Sequence, residues 1–166
     1  YYQWLKDHQA AIQAHDEDVL EEMVYGSCLI KKNVVETDPK EQGIRAYLNF
    51  GHTIGHAIEK MSDFSLYHGQ CVAIGMHSGA YLSFKRGHIT KDQYEDILAM
   101  IQGFDLPVSV SDYDAGEILA NTKSDKKMVG DKIKFIVLEK IGQAAIDMTF
   151  SDQGLLEGIQ VLLTDE

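Results

Sequence analysis

Two apolar, helix-like stretches of this sequence contain glycines four residues apart, and this spacing limits how the chain can fold. The stretch LNFGHTIGHAIEK contains Gly51 and Gly55, and HGQCVAIGMHSGAYLSFKRG contains Gly75 and Gly79. A glycine in a helix interior costs roughly 1 kcal/mol relative to alanine, so some interaction must offset that cost. Glycines on one helix face let another backbone or a ligand approach closely. We therefore predict two helices, each with one closely covered face.

The other segments predict a mainly α, multi-helical fold with one small antiparallel β-hairpin near the C-terminus. Caps and apolar spacing favour further helices in YYQWLKDHQAAI, at residues 17–35, after a capping box at Thr90–Gln93, from Tyr113 to Asn121 with Ser111 or Asp112 as cap, and after Ser151. Alternation from Lys132 to Val137, followed by Gly142, favours the hairpin. No βαβ unit is predicted, and residues 1–166 are expected to form a single helical domain.

Composition excludes several classes of protein. The chain has 166 residues, 45% of them hydrophobic, without an 18-residue apolar run, which indicates one soluble domain and no membrane span. Its net charge of −11 argues against non-specific binding to nucleic acid. Cys28 and Cys71 are far apart and form no CxxC pattern, so we expect buried apolar cysteines and a reducing cytoplasm. The first residue is not methionine, and we expect a fragment of a longer polypeptide.

The histidines of the glycine-rich stretches are candidates for a metal site. On a helix, His52 and His56 lie on one face with Cβ atoms roughly 6 Å apart. His68 begins the next helix, which can fold back antiparallel and add a third imidazole. Thr53 replaces the glutamate of HExxH, so the zinc-protease interpretation lacks its general base. Imidazole nitrogen suits zinc, but histidines that only fill core or surface positions remain the alternative.

A cationic residue, Arg45, precedes the histidines in the sequence. If a helix begins near Arg45, then Arg45, Asn49 and His52 share one face and can grip an anion beside a metal. Lys126 and Lys127, taken alone, are more typical of a solvated turn.

Three stretches together resemble the C-terminal domain of 3-dehydroquinate synthase: LIKKNVVETDPKEQGIRAYLNFGHTIGHAIE, HGQCVAIGM and SDKKMVGDKIKFIVLEKIGQA. The resemblance covers nearly the whole chain. It implies a cytoplasmic lyase of the shikimate pathway that converts an anionic sugar-acid phosphate, 3-deoxy-D-arabino-heptulosonate 7-phosphate, to 3-dehydroquinate and phosphate. It also implies two cofactors, NAD and a divalent metal, Zn²⁺ or Co²⁺.

The resemblance assigns roles to individual residues. His52 and His68 match metal ligands, whereas His56 and Glu41 match proton-transfer residues. Substrate-binding positions are matched by Lys31, Arg45, Asn49 and one of Lys126 and Lys127. The family's third metal ligand, a glutamate, and its Rossmann-like NAD-binding domain lie upstream of the segment that this chain matches. We therefore expect the isolated chain to be inactive and to bind zinc weakly, and the full-length enzyme to be a homodimer.

Two other interpretations stay open. In one, the parent protein is another member of the same superfamily, either a metal-dependent polyol or alcohol dehydrogenase or a cyclase of another sugar phosphate. The basic set Lys31, Arg45 and Lys126 or Lys127 favours an anionic sugar acid over glycerol. A non-enzymatic metal-binding module is the third interpretation, and it predicts no turnover even in the full-length protein.

Overall fold

A computed structural model describes residues 1–63, 65–125 and 132–164. They belong to two compact units, Tyr1–Leu48 and Asn49–Glu166. Within the described residues, no helix is both long and apolar enough to cross a membrane. The mainly α fold with one antiparallel strand pair is confirmed. The single-domain assignment stays a prediction.

The first unit contains three helices and most of a 3₁₀ helix. They are α1 (Tyr2–Asp7), α2 (Gln9–Gln13), α3 (Glu17–Thr37) and the 3₁₀ helix Ile44–Asn49. The predicted N-terminal helix is divided at His8, whose Nδ1 lies 2.8 Å from the carbonyl oxygen of Trp4. The α3 prediction is confirmed, with Asp16 accepting a 3.1 Å hydrogen bond from the amide of Val19. Cys28 is exposed, so its predicted burial is wrong, whereas Cys71 is buried as expected.

The second unit is built around a buried glycine-rich helix. Its elements are α4 (His52–Met61), α5 (His68–Lys85), α6 (Lys91–Gly103), α7 (Ala115–Asp125), β1 (Phe135–Lys140), β2 (Gln143–Asp147) and α8 (Asp152–Gln160). The strands pair antiparallel, with Phe135 opposite Asp147. Helix α5 contacts α4, α6, α8 and β1. Fully buried Ile74 and Leu82 of α5 therefore join Ile54 of α4 and Ile159 of α8 in one core.

Close backbone packing explains Gly51, Gly55 and Gly75, as the sequence predicts, whereas Gly79 is covered by the Phe50 side chain. A Cβ on Gly75 would lie 1.8 Å from the carbonyl oxygen of Gly51 and 2.9 Å from the nitrogen of Gly55. A Cβ on Gly55 would lie 2.8 Å from the carbonyl oxygen of Cys71. Later residues of α4 therefore contact earlier residues of α5, so the two helices run antiparallel with their backbones touching.

Several predicted boundaries are confirmed and others need correction. The capping box Thr90–Gln93 and the Ser151 cap of α8 are confirmed. Helix α7 is capped by Asp114, which accepts from the amide of Glu117 at 3.0 Å, and not by Ser111 or Asp112. The predicted hairpin is confirmed as β1 and β2, and Phe135, Ile136 and Val137 of β1 are all buried, so both faces of the strand are covered there.

Candidate metal centre

Three imidazoles converge where α4 and α5 pack together. His52 and His56 lie one turn apart on α4, and His68 is the first residue of α5. Each offers a ring nitrogen, and these nitrogens lie within 4.8 Å of one another. The ring centroids are 5.2, 5.3 and 5.7 Å apart. The expected return of His68 to the other two histidines is therefore confirmed.

The cluster depends on the glycine packing. Because Gly51, Gly55 and Gly75 let the two backbones touch, the start of α5 lies beside α4. Gly51 also ends the preceding segment with a left-handed φ of 82°, a conformation that glycine adopts readily. The close packing of the glycines therefore also brings the three histidines together.

Hydrogen-bond partners orient the rings of His52 and His68. The Nδ1 atom of His52 lies 3.3 Å from the carbonyl oxygen of Phe50, and a carbonyl can only accept. The Nδ1 atom of His68 lies 3.1 Å from the Glu59 carboxylate. In both rings this arrangement places the proton on Nδ1 and the lone pair of the neutral ring on Nε2.

The donor set fits a transition metal. Zinc takes histidine nitrogens at about 2.0–2.1 Å in tetrahedral geometry, and three ring nitrogens within 4.8 Å of one another are close enough to share one ion. The half-burial of His52 and His56 and the exposure of His68 leave the cluster open on one side. Burial raises the pKa of the Cys71 thiol on α5, with a smaller contribution from the charge of Glu59.

Other predicted site residues belong to the first unit. Lys31 is exposed on α3, and Glu41 has a left-handed φ of 55° in the loop after it. Asp38 organises that loop by accepting from the amides of Gln42, Gly43 and Arg45 at 2.9, 2.7 and 3.1 Å. These bonds, that of Gln42 first, lower the pKa of Asp38. The Arg45 guanidinium donates to the carbonyl oxygen of Pro39 at 2.9 Å.

The expected alignment of Arg45, Asn49 and His52 on one helix is wrong. Asn49 ends the 3₁₀ helix, and α4 begins only at His52, after the left-handed Gly51. The chain therefore changes direction between Asn49 and His52. Lys126 and Lys127 lie outside the described residues.

Glu59 is the site residue that sequence reasoning missed. It follows His52 by seven positions and His56 by three, so helical spacing places all three on one face of α4. That spacing was the available signal. Its partner, His68, lies on α5, so the pairing depends on how α5 packs against α4.

Comparison with known proteins assigns the chain to a family. Residues 1–128 match the family described as 3-dehydroquinate synthase C-terminal. The chain belongs to that family. The 3-dehydroquinate synthase of Syntrophotalea carbinolica is 41% identical over 88% of this chain, and that of Acinetobacter baylyi is 40% identical over 89%. The chain spans 41% of the length of each of these relatives.

Solved structures share the fold at lower identity. A 2-epi-5-epi-valiolone synthase from Streptomyces hygroscopicus, with NAD⁺ and Zn²⁺ bound, has a TM-score of 0.85 and 18% identity over 97% of this chain, which is 45% of that protein. A 2-deoxy-scyllo-inosose synthase complexed with carbaglucose-6-phosphate, NAD⁺ and Co²⁺ has a TM-score of 0.63 and 22% identity over 74% of this chain, or 35% of that protein. These similarities establish the fold of the chain.

Proposed function

We propose that the protein containing this chain is a 3-dehydroquinate synthase and that the chain is its metal- and substrate-binding region. The observation that carries the proposal is the convergence of His52, His56 and His68 in a member of this family. The proposed substrate is the seven-carbon sugar-acid phosphate, with 3-dehydroquinate and phosphate as products. We extend the proposal to a cytoplasmic homodimer of the shikimate pathway.

In this proposal the three histidines have different roles. His52 and His68 hold a divalent cation, Zn²⁺ or Co²⁺, together with a carboxylate from a segment upstream of the matched region. When bound, the cation supplies stabilisation of negative charge on a substrate oxygen. His56 exchanges protons beside the departing phosphate, a role that suits an imidazole because its ordinary pKa is near 6.5. Glu41 is the second proton-transfer residue.

The cationic residues hold the substrate. Lys31, Arg45, Asn49 and one of Lys126 and Lys127 bind its carboxylate and phosphate, since guanidinium and ammonium groups form strong charge-assisted hydrogen bonds with such anions. The described residues contain one antiparallel strand pair and no βαβ unit, the element from which Rossmann-like NAD-binding domains are built. We therefore propose that NAD binds mainly outside this chain, on an N-terminal domain.

The test is an assay of the full-length protein with NAD⁺, Zn²⁺ and the sugar-acid phosphate. We expect phosphate and 3-dehydroquinate to form in equal amounts, and His56→Ala to reduce the rate of both. The control is His88→Ala, because His88 is an exposed histidine of the same unit. Phosphate release without 3-dehydroquinate would favour another sugar-phosphate cyclase, and NAD⁺-dependent oxidation of a polyol would favour a dehydrogenase. Zinc binding with no turnover would favour the non-enzymatic module.

A further inference from the structure

Glu59 links the two helices that carry the histidines. Its side chain projects from α4, and its Oε2 atom lies 3.1 Å from Nδ1 of His68 at the start of α5. The Glu59 side chain is 21% exposed, whereas that of His68 is 53% exposed. The better-buried carboxylate therefore holds the more exposed imidazole.

This contact selects one tautomer of His68. An ionised carboxylate only accepts hydrogen bonds, so the imidazole Nδ1 must carry the proton that it donates. The lone pair of the neutral ring then lies on Nε2, the opposite edge of the ring. Without the carboxylate, an exposed histidine in the first turn of a helix would sample several rotamers and both tautomers.

Two simpler roles for Glu59 are less consistent with the geometry. As a direct metal ligand, Glu59 would belong to the cluster of potential ligands, which among the described residues comprises only the three histidines. Glu59 is also less exposed than Glu95, whose ion pair with Lys91 on α6 leaves its side chain 57% exposed. Its lower exposure and its position beside the cluster favour a role at the site.

We propose that Glu59 is a positioning residue that fixes His68 as the Nδ1–H tautomer and directs its Nε2 toward the metal. The proposal rests on the proposed function, because it requires a divalent cation held by His52 and His68. It adds a member to the site that acts through a ligand and does not touch the cation. A carboxylate in this position also makes the imidazole a better electron donor.

The experiment compares Glu59→Ala and Glu59→Gln with the unmodified full-length protein, using Zn²⁺ alone as the probe. Competition calorimetry measures zinc affinity, and ¹⁵N NMR of the histidine rings measures the His68 tautomer in the metal-free protein. We expect Glu59→Ala to weaken zinc binding by about 10–100-fold and to mix the tautomers. Glu59→Gln should fall between, because its amide oxygen accepts from Nδ1–H but has no charge. Glu95→Ala is the matched control and should change neither measurement.

Each outcome is decisive. If Glu59→Ala binds zinc with unchanged affinity and keeps the His68 tautomer, the positioning role is wrong. If the variant only unfolds at a lower temperature while its zinc affinity is unchanged, the contact is a structural ion pair, and the proposal is again wrong. If His52→Ala leaves the zinc affinity unchanged, the proposed metal centre is wrong, and this proposal is wrong with it.

Discussion

At the scale of single residues, the three clustered histidines should differ in what they do to zinc. We expect His52→Ala and His68→Ala to weaken zinc binding in the full-length protein by more than about 100-fold, since each removes a ligand and not merely an orienting partner. His56→Ala should leave zinc affinity nearly unchanged and lower turnover by about 10²–10⁴-fold, the usual contribution of a general acid or base. Calorimetry and the phosphate-release assay measure the two effects separately.

The competing arrangement is a site with three histidine ligands, which the 4.8 Å spacing of the ring nitrogens also permits. It predicts that His56→Ala weakens zinc binding as strongly as His52→Ala. That result would reassign His56 from proton transfer to metal binding. His88→Ala again serves as the control, because His88 is exposed outside the cluster.

His77 is a second functional candidate by residue type, but its contacts are structural. Only 5% of the residue is exposed. Its Nδ1 donates to the carbonyl oxygen of Val108 at 2.6 Å, so Nε2 accepts from the Tyr94 hydroxyl at 2.7 Å. Burial lowers the pKa of His77, against a smaller opposing effect of the Val108 hydrogen bond. The folded state therefore favours the neutral ring.

This preference predicts a pH dependence of stability. The contribution of neutral His77 is fully present above the unfolded pKa of about 6.5 and decreases as the pH falls toward the lowered pKa of the folded state. We expect the free energy of unfolding to fall between pH 7.5 and pH 5.5 more steeply in the unmodified protein than in His77→Gln. Urea unfolding at the two pH values measures the difference, and equal slopes would contradict it.

At the scale of elements, the contact between α4 and α5 determines both stability and the site. Gly75→Ala would place a methyl group against the backbone of Gly51, where no flexible side chain can move away. We expect a loss of about 1–3 kcal/mol or more in the free energy of unfolding, as for other overpacked interiors. Because α4 would shift relative to α5, zinc affinity should fall as well. Urea unfolding and zinc calorimetry measure the two effects.

Gly69 provides the matched control for this substitution. It lies on the same helix, beside His68, and a Cβ there would meet no atom within 4 Å. Gly69→Ala should therefore stabilise the protein by about 0.5–1 kcal/mol through helix propensity, with zinc affinity retained. If both variants lost zinc affinity equally, close packing of the helices would not be the reason for the glycines.

Particular residues show what the sequence could and could not predict about these elements. The spacing of Gly51, Gly55 and Gly75 predicted close approach because the cost of glycine in helices is local and known. The break at Gly51 was missed, since a helical glycine and a left-handed one are the same letter. The Glu59 pair with His68 was missed because it depends on the path between α4 and α5, which periodicity does not specify. Pairings between elements require the tertiary structure.

At the scale of the whole molecule, charge makes the proposed substrate an unusual ligand. The chain has a net charge of −11, so its overall field repels a sugar-acid phosphate. In the proposed function, binding would then depend on local cations such as Lys31 and Arg45, and in part on the Asp38 loop that positions Arg45. A local set of cationic side chains is therefore favoured over general electrostatic attraction as the means of binding the anion.

The stability of the whole protein should also depend on whether the metal is bound. A cation held by His52 of α4 and His68 of α5 would bind the folded protein and not the unfolded chain, so it should stabilise the fold by mass action. We expect zinc at 100 times its dissociation constant to add about 2.7 kcal/mol to the free energy of unfolding of the full-length protein, and a chelator to remove that increment. Thermal unfolding with zinc and with chelator measures it. In His52→Ala the two curves should coincide, and an undiminished zinc effect in that variant would place the metal elsewhere in the protein.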